Sequence, residues 1–357
     1  ISVVASVAIM SFYSVVGGWT LDYIIKSFSP SFLTSDSSSL AGQFSGYTSS
    51  SVMPVVTHLL FLAISALIVV AGVKNGIERY SKILMPVLFF LVLLLAIRSL
   101  TLDGAGAGVE FLFKPDFSKI TGKTALAALG QAFFSLSLGM GCIITYGSYV
   151  NKKENLFKIS FISAFADTGF AILAGLAVVP AVFAFGISPS EGPSLVFITL
   201  PQVFAQLPFG QIISIAFFFI LLIAALTSAI SLLEVIVAFC TEELKWSRKG
   251  AVIATFLLIG FFGSLSSLSQ GILADVKVFG KTFFDFFDYT SSNIMLPVGG
   301  LLVVLFVGWK MKVSDVRDEL TSGATISLKG WIFNSILFII KFVAPIAILI
   351  VLINSLL

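Results

Sequence analysis

An all-α protein that crosses a membrane many times is the fold class this sequence predicts. Hydrophobic residues fill 58% of its 357 positions and charged residues only 11%, where a soluble domain carries about 25%. Mean hydropathy is +1.08. The apolar residues fall in runs long enough for a bilayer, since ~20 residues at a rise of ~1.5 Å cover ~30 Å. The net charge of +3 forms no basic stripe, so a lipid bilayer and not nucleic acid is the expected partner. Cys142 and Cys240 lie in apolar runs and suggest neither a disulfide framework nor a zinc site. The chain starts ISVVASVAIM, inside a hydrophobic span, with no initiator Met and no signal peptide. Upstream sequence is therefore expected.

Nine spans are read, at roughly 2–27, 57–73, 83–101, 124–150, 158–186, 208–241, 250–265, 288–309 and 331–355. Alternate loops are basic: Lys74, Arg79 and Lys82; Lys152, Lys153 and Lys158; Lys245, Arg248 and Lys249; Lys310, Lys312, Arg317 and Lys329. By the positive-inside rule these are cytoplasmic. Residues 28–56, 102–123, 187–207 and 266–282 are then outside. The first of these is Ser/Thr-rich and reads as flexible. The second, with Gly104, Gly106 and Gly108, is too long for a turn and is expected to fold against the outer surface.

In the first span, Tyr13 lies ~18 Å from the helix start, where its hydroxyl needs a carbonyl or a substrate carboxylate as partner. Trp19 reads as a packing residue. His58, beside an apolar run, reads as interfacial. The fourth span is unusual at its centre, Ser135-Leu136-Ser137-Leu138-Gly139-Met140-Gly141. A helix broken there exposes main-chain groups that hydrocarbon cannot satisfy, so the break must face protein, water or ligand. Its two half-helix ends would bring opposite dipoles together, suited to a zwitterion or an ion. The plainer alternative is close helix packing through small residues.

Asp167, ~14 Å deep in the fifth span, is a functional candidate because an unpaired charge there is costly. A cation ligand, sodium above all, and a structural hydrogen bond are its two readings. The triplet Asp167-Thr168-Gly169 resembles an aspartic-protease motif, but no second such triplet supplies the paired carboxylate. In the sixth span, Ala224-Ala225-Leu226-Thr227-Ser228 offers adjacent hydroxyls and carbonyls to a hard cation. The alternative is hydroxyls bonding back to their own helix. Glu234 is expected to pair within the bundle. Asp285 and Asp288 start the eighth span, where Asp288 fits either a gating ion pair or a solvated helix N-terminus. Lys341 is expected to snorkel or pair.

Several segments together resemble the neurotransmitter:sodium symporter family, in its bacterial sodium-dependent amino-acid transporter form. They are GWTL at 18–21, GIERYSKILMP at 76–86, GQAFFSLSLGMGCIITYGSYV at 130–150, AGLAVVPAVFAFG at 174–186, FITLPQVF at 197–204 and ALTSAISLLEV at 225–235. The resemblance implies a leucine-transporter-like inverted-repeat fold, with 124–150 as its broken sixth helix and the first span as its third. The family's first two helices would then precede Tyr13, and the chain would be N-terminally truncated.

The same resemblance implies the site. Tyr13 would contact a substrate carboxylate; Ile9, Ser137, Met140 and Leu232 would line the side-chain pocket, and Phe134 would be the lid. Ser135 and Asp167 would hold a first sodium, with Ser135 also touching substrate. Ala224, Thr227 and Ser228 would hold a second, with Ser228 beside the substrate, and Phe134 and Asp288 would gate the pocket. Asp167 stands where many members have Asn, and Ala171 where chloride-dependent members have Ser. Gln131 matches a residue near their chloride. A carboxylate at Asp167 would replace that anion, so chloride-independent transport is expected.

The expected function is sodium-coupled symport of a neutral, hydrophobic or aromatic amino acid into the cell, in the inner (plasma) membrane, without chemistry on the substrate. The alternatives are a transport-inactive remnant or interaction partner, and a proton-coupled relative. An intramembrane enzyme is rejected for lack of paired acids, a Ser–His pair or metal-ligand spacing.

Overall fold

The structure, a computed structural model, describes residues 1–29, 31–151, 154–187, 192–321 and 328–356. Lys152 and Lys153, used above to orient the chain, lie outside these, as does the side chain of Lys74. Among the described residues there is no β-strand, and eight helices are long and apolar enough to cross a membrane. A ninth crossing is interrupted, as expected.

Helix α1 (Ser2–Ser27) is the central post. It holds many hydroxyl residues yet stays helical, because Ser11, Ser14 and Thr20 donate to the carbonyls of Val7, Met10 and Val16 one turn back, at 2.7, 2.6 and 3.1 Å. Gly17 and Gly18 let it cross closely over a later helix: a Cβ on Gly18 would come within 2.6 Å of the His58 backbone nitrogen.

The outer segment 28–56, read as flexible, instead contains α2 (Ser37–Thr48). Asp36 caps it, accepting from the Ser38 and Ser39 amides at 3.0 and 3.3 Å. The Ser38 hydroxyl, which also donates to this carboxylate, and then these amide bonds hold the Asp36 carboxyl below the usual carboxylate range. Phe44 and Tyr47 pin α2 to α1, Phe44 edge-on to Trp19 at 5.3 Å, while the Tyr47 and Thr57 hydroxyls share a 2.6 Å bond. Trp19 is thus the packing residue expected of it.

Helix α3 (Met53–Val70) carries His58. The interfacial reading of His58 is corrected: the ring is fully buried, with Nε2 3.4 Å from the Gly260 carbonyl. Helix α4 (Arg79–Leu100) continues from a π-turn at Val73–Glu78, so this span begins earlier than the position 83 read from the sequence. Helix α5 (Ala105–Phe113) packs on a later transmembrane helix, which accounts for the long glycine-bearing loop. Helices α6 (Gly122–Ser135) and α7 (Cys142–Tyr149) are the halves of the broken crossing.

Helix α8 (Leu156–Ala184) follows, then α9 (Leu200–Ala205) on the outer side. Helix α10 (Gly210–Glu242) runs beside α1 at the centre, and α11 (Arg248–Leu268) packs on α3 and α1. Helices α12 (Phe283–Tyr289) and α13 (Leu296–Leu305) are joined through a π-turn into one crossing. A short α14 (Val313–Leu320) precedes α15 (Gly330–Phe338) and α16 (Ala344–Leu356), again joined through a π-turn.

Glu234 pairs within the bundle, as expected. It is fully buried on α10, and Arg248 at the start of α11 grips both its oxygens, Nη1 at 3.1 Å and Nη2 at 2.5 Å. Arg248 also donates to the Val69 carbonyl at the end of α3, and the Tyr149 hydroxyl donates to Glu234 at 2.9 Å. Three helices and the inner end of the broken crossing are tied at one point. Lys341 sits over the Trp309 ring, 5.8 Å from its centroid.

Candidate functional site

The break falls where the glycine and serine content put it. Residues 136–141 are not helical, and Ser137, Gly139 and Gly141 have φ of 56°, 80° and 90°. Two serines one turn apart on α1 satisfy the exposed carbonyls: Ser2 donates to Gly139 at 3.0 Å and Ser6 to Met140 at 2.8 Å. Gly139 also lies against the backbone of α13, where a Cβ would come within 2.1 Å of the Leu296 carbonyl oxygen. Gly139→Ala therefore adds left-handed strain to a clash with immovable backbone. It is expected to cost about 3 kcal/mol or more, read as a loss of monodisperse protein on size-exclusion chromatography.

The break opens onto a cavity of about 410 Å³. Ile9 and Tyr13 face it from α1, Phe134 and Ser135 from the end of α6, Ser137 and Met140 from the break, and Ser228 and Leu232 from α10. All eight residues expected to line a substrate pocket are brought together here. The apolar members, Ile9, Met140 and Leu232, are buried around it. Tyr13 and Ser228 both line the cavity, from α1 and α10. The carbonyl end of α6 and the amide end of α7 meet at this point, giving it a negative and a positive pole.

Ser135 donates to the Asp167 carboxylate from α8, 2.7 Å from each oxygen. The bond spans two crossings 32 residues apart in the chain. Ala224 lies apart from the first cavity, in an adjoining one of about 810 Å³ shared with Asp167, Thr227 and Ser228. There the Thr227 hydroxyl donates to the Ala224 carbonyl at 2.9 Å, the back-bonding weighed above as the plainer reading. Thr227 and Ser228 line both cavities, which are therefore neighbours.

Phe134 and Gln131 also line a third cavity of about 490 Å³ that holds Asp288. Phe134 thus stands between the central cavity and an outer vestibule. Asp288 accepts from the Ser292 hydroxyl at 3.1 Å and has no ion pair among the described residues.

Sequence reasoning missed Met85, Cys142 and Ser231, which also face the central cavity. Ser231 was findable, one turn beyond Thr227, whose carbonyl it bonds at 3.0 Å, and the Tyr146 hydroxyl reaches it at 2.7 Å. Met85 had no local signal, and nor did the carbonyl-satisfying Ser2 and Ser6.

This architecture and geometry have relatives. The family model described as Sodium:neurotransmitter symporter family matches residues 50–357. The chain belongs to that family. It is 43% identical over 354 residues to the uncharacterized sodium-dependent transporter YhdH of Bacillus subtilis (strain 168), covering 99% of this chain and 78% of that one. It is 40% identical over 354 residues to an uncharacterized sodium-dependent transporter of Haemophilus influenzae, covering 98% of this chain and 76% of the relative. The crystal structure of MhsT in complex with L-phenylalanine superposes with a TM-score of 0.88 at 44% identity, over 99% of this chain and 80% of that one. As a family member the chain is a sodium-coupled secondary transporter with the leucine-transporter-like fold, not an enzyme, and a multi-pass protein of the plasma membrane.

Proposed function

We propose that this symporter carries a neutral amino acid with a hydrophobic or aromatic side chain, together with sodium and without chloride. The observation that carries this reading is the Ser135–Asp167 pair beside a cavity that is polar at one end and apolar at the other. The substrate carboxylate lies toward Tyr13 and the positive end of α7, and its ammonium group toward the carbonyl end of α6. Ile9, Met140 and Leu232 take the side chain, and MhsT, with L-phenylalanine bound, supports an aromatic one. One sodium sits between Ser135 and Asp167, replacing their hydrogen bond; hard oxygen ligands suit it. A second lies by Ser228 and the Ala224 and Thr227 oxygens. Phe134 closes over the bound substrate, and Asp288 marks the outer gate.

Asp167 supplies a fixed negative charge near the first cation, and Ala171 offers no hydroxyl to an anion. Chloride is then superfluous. The test is uptake of radiolabelled L-phenylalanine into proteoliposomes holding the full-length protein, with and without an inward sodium gradient, in chloride and in gluconate. Expected are a strict sodium requirement, rates equal within about two-fold in the two anions, and loss of uptake in Tyr13→Phe. Uptake that collapses in gluconate removes the chloride-independent reading. Uptake driven by pH and indifferent to sodium removes the sodium sites and favours a proton-coupled relative.

A further inference from the structure

On the cytoplasmic half of the surface, α3 and α11 leave a trough between them, about 380 Å³ in volume. It is lined by positions 63, 66, 67 and 70 of α3 and 249, 252, 253 and 256 of α11. Each set follows the i, i+3, i+4, i+7 spacing of a single helical face. The trough is hollow because α3 places Ala63 and Ala66 where larger side chains would fill it. Ala66 and Val252 form a buried floor, while Leu67 and Ile253 stand up as rims, 69% and 60% exposed. Every lining residue is apolar except Lys249.

Lys249 sits at the trough's inner mouth, in the first turn of α11, beside the basic loop that the positive-inside rule places in the cytoplasm. Its neighbour Arg248 is committed to Glu234 and the Val69 carbonyl, which holds the N-terminus of α11 against the end of α3. Lys249 itself has no hydrogen bond or ion pair among the described residues. The loop just before α11 carries Trp246, 48% exposed, the residue type that settles at headgroup level.

We propose that this trough is a binding site for one anionic glycerophospholipid of the inner leaflet, its acyl chain in the trough and its phosphate on Lys249. The seven helical rises from 63 to 70 extend about 10 Å, most of the ~15 Å depth of one leaflet. The trough is apolar along that length, which suits a hydrocarbon chain laid lengthwise in it. The unpartnered ammonium at the cytoplasmic end selects phosphate-bearing, net-negative lipid, which is enriched on that side.

The test is native mass spectrometry of the full-length, detergent-purified protein titrated with phosphatidylglycerol or phosphatidylcholine of the same acyl chains. Phosphatidylglycerol should bind more tightly, and Lys249→Gln should weaken it about five-fold while leaving phosphatidylcholine unchanged. Ala66→Phe, which fills the trough, should weaken both. A phosphatidylglycerol with a diazirine in its acyl chain should label peptides containing Leu67, Ile253 and Phe256. Lys249→Gln alters an exposed side chain remote from the transport cavity, so its folding and basal uptake serve as controls. Equal affinity for the two lipids, unchanged binding in Lys249→Gln, or labelling elsewhere would overturn the proposal. So would a dimer that Ala66→Phe converts to monomer with lipid binding intact, since a second copy would then own the trough.

Discussion

Asp167→Ala is expected to lower sodium affinity by about 30- to 100-fold and to abolish uptake at ordinary sodium concentrations. A carboxylate about 4 Å from a cation contributes about 4 kcal/mol at an effective dielectric near 20, and less in a cavity open to water, which gives that range. Ser135 would lose the acceptor that now takes its hydroxyl hydrogen at 2.7 Å. Asp167→Asn separates charge from hydrogen bonding, because the amide still accepts from Ser135 while its negative charge is gone. It should fall between the alanine variant and the native protein, and added chloride should restore part of its uptake. The measurement is sodium-dependent binding of labelled L-phenylalanine in detergent, which does not need a sealed vesicle. A native sodium titration in Asp167→Ala would put the cation elsewhere.

Arg248→Ala is expected to cost about 3–5 kcal/mol, the penalty for leaving a buried charge uncompensated. Glu234 is 0% exposed, and Arg248 supplies two of the contacts to its oxygens, with Tyr149 supplying the third. The same substitution frees the Val69 carbonyl. Its apparent unfolding temperature should therefore drop sharply. The double variant Arg248→Met with Glu234→Gln should recover a large part of the loss, because no charge is left stranded. If the double variant is as unstable as Arg248→Ala alone, the bond to Val69 and not the ion pair is the stabilising contact.

The central cavity was legible to an unusual degree, for a local reason. Ser135, Ser137, Gly139 and Met140 lie within one short stretch whose composition disfavours helix, and Tyr13, Asp167 and Thr227 are polar at depths where polarity is costly. Each announces itself without knowledge of its neighbours. Met85 and Cys142 look like ordinary apolar span residues, and only packing turns them to the cavity. His58 was misread because proximity to an apolar run does not tell burial between helices from placement at the headgroups. The helix at Ser37–Thr48 was missed because serine-rich composition hid the Asp36 cap and the two aromatic anchors, Phe44 and Tyr47.

By itself the sequence determined a membrane protein, its crossings, the position of the break and the family. The first three follow from hydrophobic run length and local helix propensity, properties of neighbours in the chain; the family follows from the resemblance of its motifs. The tertiary structure decided what depends on distant segments meeting: Ser2 and Ser6 satisfying the broken carbonyls, Ser135 reaching Asp167, Arg248 gripping Glu234, and two alanines of α3 facing α11 to leave a trough. Such contacts are set by the crossing angles and close approach of whole helices. No single stretch of sequence carries that information.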